Sequence, residues 1–335
     1  MIYLNIAHRI CVSLEGPKSL FAPFHSMLQE EKAGAVVGRV KAVDTIEKPA
    51  SAYLLHDGKL YADGHTFYVK DGATFIKCEP HEEDFDIEVT AQTDSLTLAD
   101  LLQALLNYYM PAHGLIFLHT ASYLTVNQGV AIHAFGGTGK TEVMLHALRH
   151  HNADFISDDL AIFNTEGQIF PYPRPIALHG YPFTDEDLEF YGLNVRTYKR
   201  MMWAKQRSGR FCNYLYQRYR GRFHIKFDYT KITGRETPMK FYDIDKHIWM
   251  ETGEKTEKFA ISSEDFARKM SFCMANEFRA YIDYDGWFGA VLPFWAEKRK
   301  LHDEALNQVV SHMQIQGMKI QGTHYGDAFE KITEL

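Results

Sequence analysis

The residues best suited to chemistry form a glycine-rich stretch near the middle of the chain, Gly136-Gly137-Thr138-Gly139-Lys140-Thr141. An apolar run from Gly129 to Ala134 precedes this stretch, and a segment with helical periodicity follows it. Glycines let successive backbone N–H groups approach phosphate oxygens closely, and a helix N-terminus adds partial positive charge at the same place. The pattern therefore predicts a phosphate-binding loop in which Lys140 reaches the β- and γ-phosphates and the Thr141 hydroxyl holds Mg²⁺.

One position departs from the full pattern G-x-x-x-x-G-K-[ST]. Ala134 stands where the first glycine is expected, whereas the remainder of the pattern is intact. The alternative interpretation is a glycine-rich turn between a strand and a helix, with an exposed lysine and no ligand.

A pair of carboxylates, Asp158-Asp159, follows the next apolar segment after the predicted helix. In a parallel sheet the ends of such strands gather at one edge, which places the pair beside the bound phosphates. One carboxylate can hold Mg²⁺ and the other can accept the proton of an incoming hydroxyl. The alternative is a solvated Asp-Asp turn without chemistry.

These residues carry a resemblance to a known family. The loop from Ala134 to Glu142, followed by Ile156-Ser157-Asp158-Asp159, resembles the HPr kinase/phosphorylase and phosphoenolpyruvate carboxykinase-like P-loop proteins. Glu142 after Lys-Thr resembles the HPr kinase side of that group. Leu118-His119-Thr120-Ala121-Ser122 and the proline-rich segment from Tyr172 to Leu178 resemble the smaller HPr-kinase-like enzymes. The resemblance covers residues 114 to about 180.

The resemblance implies an ATP-dependent, Mg²⁺-requiring kinase that transfers the γ-phosphoryl group to a hydroxyl. Asp158 would be the general base, Asp159 would hold Mg²⁺ together with Thr141, and His119 would lie near the transferred phosphoryl group. The nucleotide would be bound by Gly136, Gly137, Thr138, Gly139, Lys140, Thr141 and Glu142. Arg174, within the proline-rich segment, would steady a phosphate oxygen or be a surface loop residue.

The acceptor is less defined than the reaction. The chain lacks the later Arg-Gly-x-Gly signature that accompanies HPr recognition and the phosphorylase reaction. Relatives without it include free-serine kinases and peptide-tailoring kinases, so the expected acceptor is a serine hydroxyl of a peptide, of a protein or of free serine. Two alternative functions stay open: a non-catalytic ATP-binding regulatory or interaction protein, and an ATPase stimulated by nucleic acid.

The elements that must position these residues divide the chain into two predicted parts. Residues 1–112 are expected to form a β-rich domain, with a hairpin at Asp71-Gly72 and then a helix from Ser95 to Tyr109 capped by Thr97. Residues 113–335 are expected to form an α/β P-loop domain of the carboxykinase-like type, with a mixed sheet and flanking helices. Within it, alternation predicts a strand at Met239–Ile244, and helical spacing predicts a helix from Glu297 to Gln314.

Residues 196–226 contain ten Lys or Arg residues and no Asp or Glu, with aromatic residues interleaved. Because the whole chain has a formal net charge of −7, this segment creates a local positive field. It is either a solvated helix and loop, a clamp for an anionic substrate or nucleotide, or a nucleic-acid surface. No nucleic-acid-binding motif supports the last of these.

Composition excludes several classes of protein. The 335-residue chain has no apolar run long enough for a membrane span and no secretory signal at its N-terminus, so a cytoplasmic location is expected. The four cysteines are far apart, which excludes both a zinc pattern and a disulfide framework. Whether the chain forms a homo-oligomer stays open.

Overall fold

The structure, a computed structural model, describes residues 1–56, 59–172, 183–190, 193–207, 209–223, 237–277, 279–321 and 325–334. The protein is mixed α/β, with large mixed sheets and helices that flank them. This architecture confirms the coarse fold class expected from the sequence. Arg174, all of the proline-rich segment after Tyr172, and Lys226 fall outside the described residues.

The N-terminal part is dominated by one nine-stranded sheet in the order β3-β1-β2-β4-β9-β8-β7-β6-β5. β2 pairs with β4 and β4 with β9 in parallel, whereas the other neighbours are antiparallel. The predicted hairpin at Asp71-Gly72 is confirmed, because Asp71 pairs with Thr74 at the end of the β7–β8 ladder. The strands are β1 (Ile2–Ile6), β2 (Ile10–Glu15), β3 (Leu28–Gln29), β4 (Ala35–Val43), β5 (Tyr53–His56), β6 (Leu60–Asp63), β7 (Thr66–Asp71), β8 (Thr74–Pro80) and β9 (Phe85–Thr90). A 3₁₀ helix at Lys18–Met27 links β2 to β3.

The predicted helix after this sheet is confirmed as α1 (Ser95–Tyr109). The leucines at helical spacing, Leu98, Leu101, Leu102, Leu105 and Leu106, are buried as predicted, whereas Leu96 at the start of the helix is exposed. The predicted cap is wrong, because Asp94 is the N-cap and accepts a hydrogen bond from the Thr97 backbone N–H at 2.9 Å. A carboxylate one position before the helix can reach the free N–H groups of the first turn, and it also accepts the Thr97 hydroxyl proton at 3.0 Å.

A six-stranded sheet in the order β13-β11-β12-β16-β18-β17 carries the glycine-rich loop. β12, β16 and β18 are parallel, and β11 runs antiparallel to both β12 and β13. As a result β12 and β13 end at the sheet edge where β11 begins, and residues after these strand ends meet there. The strands are β11 (Thr120–Leu124), β12 (Gly129–His133), β13 (Asp154–Ser157), β16 (Lys246–Gly253), β17 (Glu257–Phe259) and β18 (Ile315–Gln321).

A small third sheet, in the order β10-β14-β15, lies beside it. Its strands are β10 (Leu115–Leu118), β14 (Ala161–Asn164) and β15 (Ile169–Pro171). The predicted strand at Met239–Ile244 is wrong, since only Tyr242 pairs, through one bridge to Ile169. Ile169 exchanges both backbone hydrogen bonds with Tyr242, and Pro171, the next residue of β15 on that side, has no N–H with which to continue the pairing.

Helices cover both faces of the six-stranded sheet. One apolar cluster joins the helices Lys140–His150, Val195–Lys205 and Tyr325–Thr333. The other cluster joins the helices Ser263–Glu277 and Trp295–Ser311 to the N-terminal part. The predicted last helix is confirmed, although it begins and ends earlier than expected and a short helix follows it. The remaining helices are α2 (Lys140–His150), α3 (Asp185–Phe190), α4 (Val195–Lys205), α5 (Arg210–Phe223), α6 (Ser263–Glu277), α7 (Arg279–Val291), α8 (Trp295–Ser311) and α9 (Tyr325–Thr333), with a 3₁₀ helix at Met110–His113.

The larger apolar cluster is continuous across the predicted boundary near residue 113. It contains Phe85 and Leu105 on one side of that boundary and Phe163, Phe266 and Trp295 on the other. The division of the chain into two domains therefore stays a prediction. No helix among the described residues is long and apolar enough to cross a membrane.

Candidate functional site

The glycine-rich loop connects β12 to α2, as the sequence pattern predicts. Gly137 has φ = 77° and Gly139, the N-cap of α2, has φ = 104°, conformations that side chains other than glycine rarely adopt. Gly136 and Gly137 are exposed at the tip of the loop, and a Cβ at Gly137 would meet no atom within 4 Å. The tip is therefore open to a ligand at the N-terminus of a helix, where backbone N–H groups favour an anion.

Ala134, at the first-glycine position, is fully buried. Its methyl group belongs to the apolar cluster beneath α2, which also contains Val143 and Met144. The departure from the sequence pattern thus faces the core, away from the exposed glycines at the tip of the loop. Thr138 closes the loop, donating its hydroxyl proton to the Phe135 carbonyl at 2.8 Å.

Asp158 lies against the start of α2. Its Oδ1 accepts a hydrogen bond from the Thr141 hydroxyl at 3.0 Å, and both side chains are buried. Burial raises the pKa of the Asp158 carboxyl to about 7, while the Lys140 ammonium opposes the shift and the Asp159 carboxylate adds to it. A buried carboxyl with a raised pKa favours a bound cation, because a second positive charge would stabilise its ionised form.

Asp159 sits at the centre of a tight turn directly after β13. The Leu160 N–H donates to the Asp158 carbonyl at 2.8 Å, and Asp159 has φ = 68°. This is a γ-turn of the rare positive-φ form, and strained backbone of this kind is concentrated at functional sites. The Ser157 hydroxyl donates a hydrogen bond to the Leu160 carbonyl and so stabilises the turn. The turn directs Asp159 into solvent beside the loop, with 44% of its side chain exposed.

The Asp159 carboxylate contacts two side chains, a lysine and a histidine. Its Oδ1 lies 3.8 Å from Lys140 Nζ and 3.1 Å from His119 Nε2. Lys140 and His119 are themselves buried. His119 lies between β10 and β11, at the edge where β12 and β13 end. This position explains how a residue about 40 positions earlier in the chain reaches Asp159. The structure therefore brings together His119, Lys140, Thr141, Asp158 and Asp159.

Cys273 on α6 is a neighbour of this group that sequence reasoning missed. Its Sγ lies 3.0 Å from His119 Nδ1 and donates toward the Ala134 carbonyl at 3.4 Å. The thiol thus touches both the histidine and the first residue of the loop, and it is completely buried. An isolated cysteine in a helical segment carries no motif, so no sequence signal could have found it.

Other predicted residues lie outside this group or have other partners. Glu142 is in the first turn of α2, where its charge adds to burial in raising the pKa of the Tyr198 phenol of α4 to about 12. Arg174 falls outside the described residues. The described residues of the basic segment form most of α4 and all of α5. Lys199 of α4 pairs with Asp185 at 2.6 Å, and Arg207, between the two helices, lies over the Trp203 ring at 4.5 Å. The anionic partner of the basic segment stays a prediction.

The donor set suits Mg²⁺ better than a softer metal. Within the described ranges, no group of three or more His, Cys, Asp or Glu side chains comes together as a metal cluster. Magnesium needs no such cluster, because it is usually held by one or two carboxylates with water and phosphate oxygens. The Thr141 hydroxyl and the Asp158 carboxylate, in contact with each other, are hard oxygen donors of the required kind.

Comparison with known proteins adds no assignment. No model of a protein family matches the chain, and no curated protein matches its sequence at a significant level. The motif residues and their placement are therefore the basis for any statement about function.

Proposed function

We propose that the chain is an ATP-dependent kinase of the HPr-kinase-like type, with a carboxykinase-like P-loop fold, that phosphorylates a hydroxyl group. The observation that carries the proposal is the convergence of Asp158 and Asp159 on the first two residues of α2. Thr141 contacts Asp158 at 3.0 Å and Lys140 contacts Asp159 at 3.8 Å. A carboxylate at a helix N-terminus stabilises the helix by itself. The buried contact between Thr141 and Asp158, together with His119 on Asp159, goes beyond what that stabilisation requires.

The contacts favour an exchange of the roles that the resemblance implies for the two aspartates. Thr141 and Asp158 would hold Mg²⁺, because the hydroxyl and a buried carboxylate already face each other, as in other P-loop enzymes. Mg²⁺, when bound there, would supply positive charge that stabilises the β- and γ-phosphate oxygens. Asp159 would then be the general base, since it is the more exposed of the two and an acceptor hydroxyl can reach it.

The transfer step follows from these positions. The acceptor oxygen attacks the γ-phosphorus, and its proton passes to the Asp159 carboxylate. The bond between the γ-phosphorus and the bridging oxygen breaks, and ADP leaves with the electron pair. Lys140 stabilises the negative charge that develops on the phosphate oxygens. His119 holds Asp159 through Nε2 and keeps its carboxylate directed at the loop.

The test is γ-phosphoryl transfer from labelled ATP with Mg²⁺, offered free serine, serine peptides and threonine peptides as acceptors. We expect label on at least one hydroxyl, and loss of labelling in Asp159→Asn. The kinase proposal would be contradicted if the chain binds ATP but forms no ADP under any condition, and if Asp159→Asn leaves nucleotide binding and turnover unchanged. That outcome would support the alternative of an ATP-binding regulatory protein.

A further inference from the structure

We propose that the exposed side of α4, together with the N-terminal half of α5, binds a short acidic peptide segment of a partner protein. We call this surface the basic face. The residues that define it are Arg196, Arg200, Trp203, Arg207, Phe211 and Tyr214. The proposal concerns the part of the chain that the kinase chemistry does not use, and it does not depend on phosphoryl transfer.

The helix α4 has a buried side and an exposed side. Tyr198 and Met201 lie on the buried side, in the apolar cluster that also contains residues of α2. The exposed side carries residues spaced by four, three and four positions, which is the spacing of neighbours along one helix face. These residues are Arg196, Arg200, Trp203 and Arg207. At the rise of an α-helix they form a stripe about 16 Å long, which matches about five residues of an extended peptide.

The arginines of the basic face differ from other arginines in their partners. Elsewhere in the chain, four arginines each contact an aspartate carboxylate, and these are Arg39, Arg149, Arg268 and Arg299. Arg196 and Arg200 are exposed and form no ion pair with any residue that the structure describes. Arg207 lies over the Trp203 ring at 4.5 Å. Because the whole chain has a net charge of −7, an acidic ligand is attracted only to a local surface of this kind.

The basic face also exposes aromatic rings. Trp203 is 44% exposed, Phe211 is 67% exposed and Tyr214 is 59% exposed. Exposed apolar side chains rimmed by polar residues mark protein–protein contact sites, and Trp, Tyr and Arg contribute most to the binding energy of such sites. The combination of rings and arginines therefore fits a peptide that carries apolar side chains between its carboxylates.

The neighbouring helix α3 favours a peptide over a nucleic acid. α3 contacts α4 and has the acidic sequence Asp185-Glu186-Asp187-Leu188-Glu189. Asp185 reaches Lys199 of α4 at 2.6 Å, so carboxylates border the basic face. A nucleic-acid strand carries a phosphate at every nucleotide and is repelled where it continues past this border. A short peptide can place its carboxylates on the stripe and end before α3.

The first experiment uses the full chain and a fluorescein-labelled short peptide of alternating Glu and Phe residues, followed by fluorescence anisotropy. One comparison peptide has Lys in place of Glu, another has Ser in place of Phe, and an oligothymidylate of equal charge represents nucleic acid. We expect saturable binding of the Glu-Phe peptide that weakens with added salt, because salt screens surface charges. The three comparison ligands should bind at least about tenfold more weakly. The proposal is overturned if the Glu-Phe peptide shows no saturable binding, or if any comparison ligand binds as tightly.

The second experiment reverses one charge of the basic face. Arg200→Glu should weaken binding of the Glu-Phe peptide by about tenfold or more, because it places a carboxylate within the stripe. Arg268→Glu is the matched control, since it changes the net charge equally at another exposed arginine, on α6, and it should bind as the unaltered chain does. Equal weakening in the two variants overturns the proposal, because the attraction would then come from the charge of the whole chain.

The third experiment removes one exposed ring. Tyr214→Ser should weaken binding of the Glu-Phe peptide several-fold through lost contact with the Phe side chains. Tyr53→Ser is the matched control, because Tyr53 is 50% exposed and lies in the nine-stranded sheet. Unchanged affinity in Tyr214→Ser, or the same loss in Tyr53→Ser, overturns the role of the rings and with it the proposed face.

Discussion

The Thr141 hydroxyl donates a hydrogen bond to Asp158 Oδ1 at 3.0 Å, while the neighbouring carboxylate of Asp159 points to Lys140 and His119. Two adjacent residues thus have different partners, because the γ-turn at Asp159 sends their side chains in different directions. This separation is the basis for assigning the metal to one carboxylate and the proton to the other.

Substituting the two aspartates should distinguish these roles. Asp159→Asn should reduce phosphoryl transfer by about 10²–10⁴-fold with little change in the Mg²⁺ concentration required, since only the base is lost. Asp158→Asn should raise the Mg²⁺ concentration needed for half-maximal ATP binding, because an amide is a weaker ligand than a carboxylate. Nucleotide binding titrated against Mg²⁺ and the rate of ADP formation measure the two effects. The reverse pattern would restore the roles that the family resemblance implies.

The stability of the nucleotide-free protein should depend on pH through Asp158. Its pKa is raised from 3.8 to about 7 in the folded chain, so the folded state binds this proton more tightly than the unfolded state does. The contribution to stability is fully present below the unfolded pKa and is lost as pH rises to the folded pKa. At about 1.4 kcal/mol per pKa unit, the loss is at most about 4 kcal/mol.

The variant Asp158→Asn isolates the pH-dependent contribution of Asp158 to stability, because asparagine has no proton to lose. The free energy of unfolding of the variant, relative to the unaltered chain, should rise between about pH 4 and pH 7 and then level off. Urea unfolding at a series of pH values measures the difference. A difference that is independent of pH would show that Asp158 is ionised throughout this range in the folded protein.

Cys273 should support the reaction through His119. Cys273→Val removes the contact with His119 Nδ1, which helps to orient the ring that holds Asp159. We expect a lower kcat, an unchanged KM for ATP and a displaced acidic limb in the pH–rate profile, and Cys273→Ser should recover part of the rate. Cys78→Val is the matched control, since it replaces another buried thiol, in the nine-stranded sheet. An identical loss of kcat in both variants would show that the effect comes from packing and not from the contact with His119.

Comparing the substitution of Asp159 by glycine with its substitution by alanine should show that the backbone at this position is strained. Because φ = 68° suits glycine better than alanine, Asp159→Gly should be more stable than Asp159→Ala by about 1 kcal/mol. Both variants should lose phosphoryl transfer, since neither has a carboxylate. Thermal unfolding combined with the activity assay separates the two effects. Equal stability of the two variants would indicate that the turn relaxes when the side chain is removed.

Several elements were predictable because their signals are local. The strand–loop–helix from Gly129 to His150, the helix at Ser95–Tyr109 and the turn at Asp71-Gly72 each depend on residues close together in the chain. Glycine conformation, helical spacing and turn chemistry act over a few residues, so the sequence alone determined them. It also placed Asp158 and Asp159 beside the loop.

Only the tertiary structure decided the features that depend on distant residues. Two interior strands, Lys246–Gly253 and Ile315–Gln321, carry no simple alternation of buried and exposed residues. Four consecutive residues are buried in the first strand and two adjacent residues in the second, so the sequence pattern does not predict either strand. Cys273 reaches His119 across 154 residues of chain. Which aspartate faces Thr141 is set by one γ-turn, and the direction of a side chain after such a turn follows from backbone angles that residue types do not specify.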